Sequence, residues 1–138
     1  MANLKVRDLM TEEVLTLGAE DNLASLYDLM DSRHIRHVPI VDEDDTLVGI
    51  VSDRDLLRGA LGEESSLPLS VRRQMLEQLK VEEIMNTEPM TVEPEQAVRE
   101  AGELLMELKV SCLPVVDGGR LVGIITESDF VRYLTENA

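Results

Sequence analysis

Apolar positions recur in two rhythms along the chain, and the rhythms alternate. Val14–Leu17, His37–Val41 and Leu47–Ser52 are short apolar runs of strand length, the last two separated by the acidic turn DEDDT at 42–46. Between the first two runs, Leu23, Leu26, Tyr27 and Met30 fall at helical spacing behind Asp21 and Asn22, either of which can cap a helix. A further helix is predicted from Asp53 to about Arg58. The succession then returns. Pro94 suits a helix start, and Val98, Ala101, Leu104, Leu105 and Leu108 form its apolar face. Pro39 and Pro114 each fall inside a predicted strand, which places those strands at an edge or starts them there.

The return is an internal repeat. LKVRDLM at 4–10 reappears as LKVEEIM at 79–85, and HVPIVD at 37–42 as CLPVVD at 112–117, both displaced by 75 residues. LVGIVSDRDLLR at 47–58 reappears as LVGIITESDFVR at 121–132, displaced by 74. The deleted residue falls in the turn, where DEDDT becomes DGGR (117–120). GEESSLPLS (62–70) reads as a loop and VRRQMLEQLK (71–80) as a short helix. The chain therefore divides into a first repeat at 1–61, a linker with a short helix at 62–78 and a second repeat at 79–138. The fold class is α+β, a mixed α/β arrangement of two βαββα repeats related by a pseudo-twofold axis. A repeat of about 60 residues is marginal alone, so two three-stranded sheets are expected to pack through shared apolar faces, neither half folding by itself.

Composition narrows the function. The 138 residues carry a net charge of −15, which repels a phosphate backbone, and only 2% are aromatic, which removes base-stacking platforms. Nucleic acid is therefore not an expected partner. One cysteine, Cys112, excludes an internal disulfide and fits a reducing compartment. With no leader and no long apolar run, a soluble, cytoplasmic protein without a membrane partner is expected. Against the acidic background, RHIRHVPIVD at 33–42 gathers both histidines and two arginines at the mouth of one apolar run. Positive charge set against the prevailing sign suggests an anion to be held.

The order V-x-x-hM, a T-h dipeptide, a helix, hxxhPVVD, a turn and GhhT/SxxD, found twice, resembles a tandem pair of CBS (cystathionine β-synthase) domains. The resemblance runs from about Val6 to Leu134, leaves no room for an enzyme domain, and looks like a stand-alone pair. It implies a regulatory protein, not an enzyme. The implied ligand is an adenine nucleotide (AMP, ADP or ATP) or S-adenosylmethionine, with no cofactor required. It further implies energy sensing, a homodimer formed through helices, and a regulated protein partner. Two clefts between the repeats are implied. One combines Thr16, Ile35, Arg36 and His37 with Thr126, Ser128 and Asp129. The other combines Thr91, Val110, Ser111 and Cys112 with Ser52, Arg54 and Asp55.

Each role has a physical reason and a plainer alternative. An ionised Asp55 or Asp129 can accept from both hydroxyls of a ribose, while Ser52 and Thr126, at a helix start, suit phosphate. Ser-x-x-Asp is equally a capping motif that needs no ligand, and an acidic pair turned wholly onto its own helices would remove the argument for a sugar. Gly49 and Gly123 permit close approach, of a ligand or of the chain itself. Ile35 or Val110, with Met10 and Met85, suit the faces of adenine; for the methionines, core packing is the alternative. Arg36, His37 and Arg54 suit phosphate, making the cleft with Arg36, His37 and Asp129 the better anion site. Arg33 and His34 instead close the preceding helix. A phosphate-bound His37 would make affinity rise as pH falls through about 6.5. The H-x-x-H spacing is not expected to bind metal, Cys112 is expected in the core, and DEDD is expected to be a solvated turn. Leu56, Leu57, Phe130 and Val131 are the candidates for a dimer contact. The rival function is a dimerising protein-interaction module that uses no nucleotide.

Overall fold

A computed structural model of the chain describes residues 3–61 and 68–137. In order, the elements are α1 (Val6–Leu9), α2 (Leu23–Arg33), β1 (His37–Val41), β2 (Leu47–Ser52), α3 (Asp53–Leu56) with a π-helical turn (Leu57–Leu61), and α4 (Leu69–Gln78). A 3-10 turn (Val81–Glu83), α5 (Val98–Leu108), β3 (Cys112–Asp117), β4 (Arg120–Thr126) and α6 (Glu127–Asn137) follow. They form two compact units, Leu15–Glu88 and the described residues of Met1–Val14 with Pro89–Ala138. Each repeat's opening segment thus belongs to the unit built around the other repeat's hairpin.

In the unit of Leu15–Glu88, β1 and β2 pair antiparallel from His37↔Ser52 to Val41↔Leu47, with a bulge between Ile40 and Val41. Asn22 caps α2, its Oδ1 accepting from Ser25 N at 2.9 Å. The helix ends on His34 in the left-handed conformation (φ 55°), whose N–H donates to the Met30 carbonyl. Leu23, Leu26 and Met30 are buried as the spacing predicts, but Tyr27 is 43% exposed, and Ala24 stands in the core instead. The smaller residue lets α2 sit close to Val38, Ile40 and Val51. α4 begins at Leu69, two residues before the predicted start, because Pro68 (φ −57°) already has the dihedral that leads into a helix. Residues 62–67 of the expected loop lie outside the described residues. Leu76 fixes α4 in the core, and Arg73 makes a fork on Asp28 of α2 at 3.0 and 2.8 Å.

The second unit repeats this plan. β3 pairs with β4 from Cys112↔Thr126 to Asp117↔Arg120, with a bulge at the matching place, between Val115 and Val116. The shorter turn is explained by Gly118 and Gly119, whose positive φ values (60° and 85°) close a hairpin in two residues. α5 starts at Val98, not at Pro94. The carbonyl of Pro94 accepts instead from Arg7 N at 3.0 Å, holding the opening segment. Val98, Ala101 and Leu105 are buried, while Leu108 is exposed beside Lys109, a second left-handed helix end.

The expected three-stranded sheets are two-stranded ladders flanked by single-residue bridges. Of the predicted strand Val14–Leu17, only Leu17 pairs, its N–H donating to the Pro39 carbonyl and its carbonyl accepting from Val41 N. Val92 makes the same two bonds to Pro114 and Val116. A strand residue points its N and its carbonyl to the same side. The missing donors of Pro39 and Pro114 therefore face this sparse outer edge, not the hairpin partner.

On the other side of each hairpin lies the exchanged segment. Thr11 and Ile124 trade both backbone bonds at 2.8 and 3.0 Å, and Asn86 and Ile50 trade theirs at 2.9 and 3.0 Å. Val98 N donates to Leu4 and Leu23 N to Leu79, so each long helix has its start tied to an exchanged backbone. Val6 and Leu9 enter the core of α5, β3 and β4, and Val81 enters that of α2, β1 and β2. The apolar faces are shared between repeats by exchange of segments.

Two glycines make that possible. A Cβ on Gly123 would lie 2.8 Å from the Thr11 carbonyl, and one on Gly49 would lie 2.9 Å from that of Asn86. Met10 and Met85 lie over the same glycines and pack there. Gly123→Ala is expected to destabilise by about 1–3 kcal/mol, because backbone must move. Gly102→Ala, in the middle of α5, puts its Cβ 3.5 Å from Phe130, an ordinary contact. It is expected to be neutral or to stabilise by up to about 1 kcal/mol. Urea unfolding of the two variants checks both signs.

Candidate functional site

In each unit the end of the hairpin brings a strand start against a helix start. His37 stands opposite Ser52. Asp53 N donates to the Arg36 carbonyl at 2.9 Å, so the basic run and the SDRD turn share one corner. Ser52 Oγ accepts from Asp55 N (3.2 Å), and Asp55 Oδ2 accepts from Ser52 N (2.8 Å), a reciprocal cap. Asp55 Oδ1 takes no hydrogen bond among the described residues. Arg36 and Arg54 are exposed, Ile35 is half-buried against the core, and Thr16 is half-buried.

Cys112 stands opposite Thr126 in the other unit. Here the acidic residue is more deeply engaged. Asp129 is only 3% exposed. Its Oδ2 accepts from Thr126 N at 2.8 Å and from Thr126 Oγ1 at 3.3 Å. Its Oδ1 accepts from Thr11 Oγ1 at 2.8 Å and from the Arg132 guanidinium. Asp129 is therefore turned wholly onto its own unit, whereas Asp55 commits one oxygen. Thr11 and Arg132 were not among the candidates. Arg132 lies one helical turn beyond Asp129 and was legible from that spacing. Thr11 reaches Asp129 only through the exchange.

The remaining candidates fall as follows. Thr91 and Val110 are half-buried, Ser111 and Ser128 exposed. Gly49 and Gly123 are filled by the chain's own backbone, so close packing accounts for both. Arg33 ends α2 and His34 is its left-handed cap, while His37 opens β1, so the two histidines do not share a helical face. In the acidic turn, Asp42 Oδ1 accepts from Asp44 N (2.9 Å) and Thr46 N (3.0 Å). Leu56 drops out of the proposed dimer contact, because it is 4% exposed and part of the core. Phe130 is half-buried against the core of its unit. Leu57 and Val131 remain exposed, at 55% and 61%.

Two of the candidate residues have displaced ionisations. Burial holds the His37 imidazole below its ordinary value of 6.5, with Arg36 and Arg54 pushing the same way and Asp53 and Asp55 opposing. Any rise in anion affinity through protonation of His37 therefore belongs below pH 6.5, not at it. The sign for stability follows from the same shift. Between the folded and unfolded values the unfolded chain binds the extra proton, so stability falls as pH drops below about 6.5. Chemical denaturation from pH 7.5 to 5.5 is expected to show a smaller loss for His37→Gln than for the parent chain. Burial, followed by the charge of Asp129, pushes the Cys112 thiol up to about 12. The native chain is expected to resist a disulfide reagent at pH 8 and to react fully in urea.

No helix among the described residues is long and apolar enough to cross a membrane. A family model described as CBS domain matches residues 6–62 and 81–136. A CBS domain-containing protein of Dictyostelium discoideum is 35% identical over 133 residues, covering 94% of this chain and 90% of that protein. Homoserine O-acetyltransferase of Methanohalobium evestigatum is 26% identical over 137 residues, but the chain spans only 25% of its length. Among solved structures, CBSX2 in complex with AMP is similar at a TM-score of 0.79 and 29% identity, covering 96% of this chain and 97% of that one. The CBS domain pair of protein MJ0100, in complex with 5′-methylthioadenosine and S-adenosyl-L-methionine, is similar at a TM-score of 0.78 and 26% identity, covering 98% of each chain. With both repeats matched and the doubled hairpin-and-helix plan in place, this chain belongs to the CBS domain family as a tandem pair.

Proposed function

We propose that the chain is a regulatory module that binds an adenine nucleotide or a related adenosyl ligand, and that it does no chemistry of its own. The observation that carries this is the recurrence of one corner in both units. A Ser or Thr, with an Asp three residues on, closes β2 or β4 and stands opposite the start of β1 or β3. The similar chains solved with AMP and with S-adenosyl-L-methionine support the choice of ligand. Arg36 and Arg54 supply positive charge suited to phosphate, joined by His37 only below pH 6.5, which is why a basic run persists in an acidic chain. Thr16, Ile35, Thr91, Val110, Ser111, Cys112, Ser52, Asp55, Thr126, Ser128 and Asp129 are the remaining proposed ligand residues. AMP and ATP competing for such residues would make the module a sensor of energy state. Exposed Leu57, Val131 and Leu134 favour a homodimer through helical faces, and a regulated partner protein would read the bound state.

Thermal unfolding with AMP, ADP, ATP, NADH and S-adenosylmethionine tests the reading. A ligand at 100 times its Kd adds about 2.7 kcal/mol, or roughly 9 °C for a chain of this size. No shift with any of the five would favour the interaction module that needs no nucleotide. A shift that survives Asp129→Ala unchanged would remove Asp129 from the site.

A further inference from the structure

A carboxylate offers about four lone-pair positions. At Asp129 four donors point at it: Thr126 N, Thr126 Oγ1, Thr11 Oγ1 and the Arg132 guanidinium. A ribose diol needs two of those positions. The backbone donor is locked into the strand end, and the Thr11 hydroxyl is carried by a segment whose backbone is bonded to Ile124. Arg132 is different. Its side chain is 51% exposed and lies on the surface of α6, so it can swing into water without leaving a buried group unpaired.

Among the described residues the matching corner of the other unit has no such occupant. Among the described residues Asp55 receives only the Ser52 N–H. Asn86, which corresponds to Thr11, has its Oδ1 taken by Glu88 N. No ion pair joins Arg58, the counterpart of Arg132, to Asp55 among the described residues. Both repeats therefore keep the arginine, Asn86 replaces Thr11, and among the described residues the acidic residue's coordination is filled at one corner only.

We propose that Arg132 is an internal competitor for the sugar of an incoming nucleotide, occupying Asp129 in the free chain and released when a diol takes its place. This rests on the nucleotide reading above. Arg132 then sets affinity without itself being a ligand residue, and it makes the two corners unequal: one open, the other closed until its arginine moves.

The test is titration calorimetry of AMP and ATP into the full chain and into Arg132→Gln, Arg132→Lys and Arg120→Gln. The last removes the same charge at the far end of β4. The competitor predicts that Arg132→Gln binds roughly tenfold tighter, or takes up an additional equivalent of ligand, since one charged hydrogen bond no longer has to be broken. Arg132→Lys should fall between, and Arg120→Gln should match the parent. An arginine that merely braced α6 would lower Tm in Arg132→Gln and leave affinity alone, which overturns the proposal. An arginine that held phosphate would weaken binding in Arg132→Gln, which overturns it too, as would an equal gain in Arg120→Gln. Should neither the parent nor any variant bind either nucleotide while all remain folded, the nucleotide reading fails and this proposal with it. Binding by the parent with no gain in Arg132→Gln would sink the competitor alone.

Discussion

The whole fold depends on backbone passing over backbone at two glycines. At Gly123 and Gly49 the absent side chain lets Thr11 and Asn86 come within hydrogen-bonding range of β4 and β2. Those bonds close the inner edge of each hairpin. The apolar residues that travel with the segments, Val6 and Leu9 in one core and Val81 in the other, replace water against the hairpin and the long helix. Lys5 and Arg7 then hold Glu95 at 2.7 and 2.8 Å on the outside, a weak exposed fastening beside the main one. Hydrophobic burial supplies the driving force, and the paired backbone groups fix the register.

The proposed site lies at the other end of the same hairpins. A strand that ends in Ser or Thr and turns directly into a helix must satisfy the first N–H groups of that turn. The residue three positions on is the nearest acceptor. Capping and the proposed ligand binding therefore draw on one carboxylate. At Asp55 the cap uses one oxygen and leaves the second without a hydrogen bond among the described residues. At Asp129 the protein uses both. The difference comes from Thr11, which Asn86 replaces, and from the placement of an arginine that both repeats carry, so matching motifs arrive at unequal chemistry.

Much of the architecture was legible in the sequence because the repeat supplied two readings of each element. Periodicity found α2 and α5, the apolar runs found all four strands, and the deletion between DEDDT and DGGR was placed in the hairpin turn where Gly118 and Gly119 make the shorter loop possible. Three details lay beyond it. Pro94 looks like a helix start, and only the bond from Arg7 reveals its other use. Tyr27 occupies a helical position facing the core by spacing, yet Ala24 takes that place, a choice made by packing distance. Segment exchange leaves no local trace at all: LKVRDLM and LKVEEIM are equally compatible with staying on their own hairpins. The candidate site was legible as a motif but not as a state. The Asp three residues after Ser or Thr was read as either cap or acceptor, and the capping bond is present at both corners. Which oxygens were already taken depended on contacts from distant chain positions.

The exchange also bears on what the covalent connection between the repeats accomplishes. A single repeat synthesised alone would hold a hairpin with an open inner edge and an opening segment with nowhere of its own to dock. Two such molecules could complete each other only by meeting, and their folding would weaken with dilution. Joining them end to end replaces that encounter with a fixed local supply of the complementary piece, equivalent to millimolar concentrations for a short tether. The duplicated chain is thereby freed from any dependence on its own abundance in order to fold.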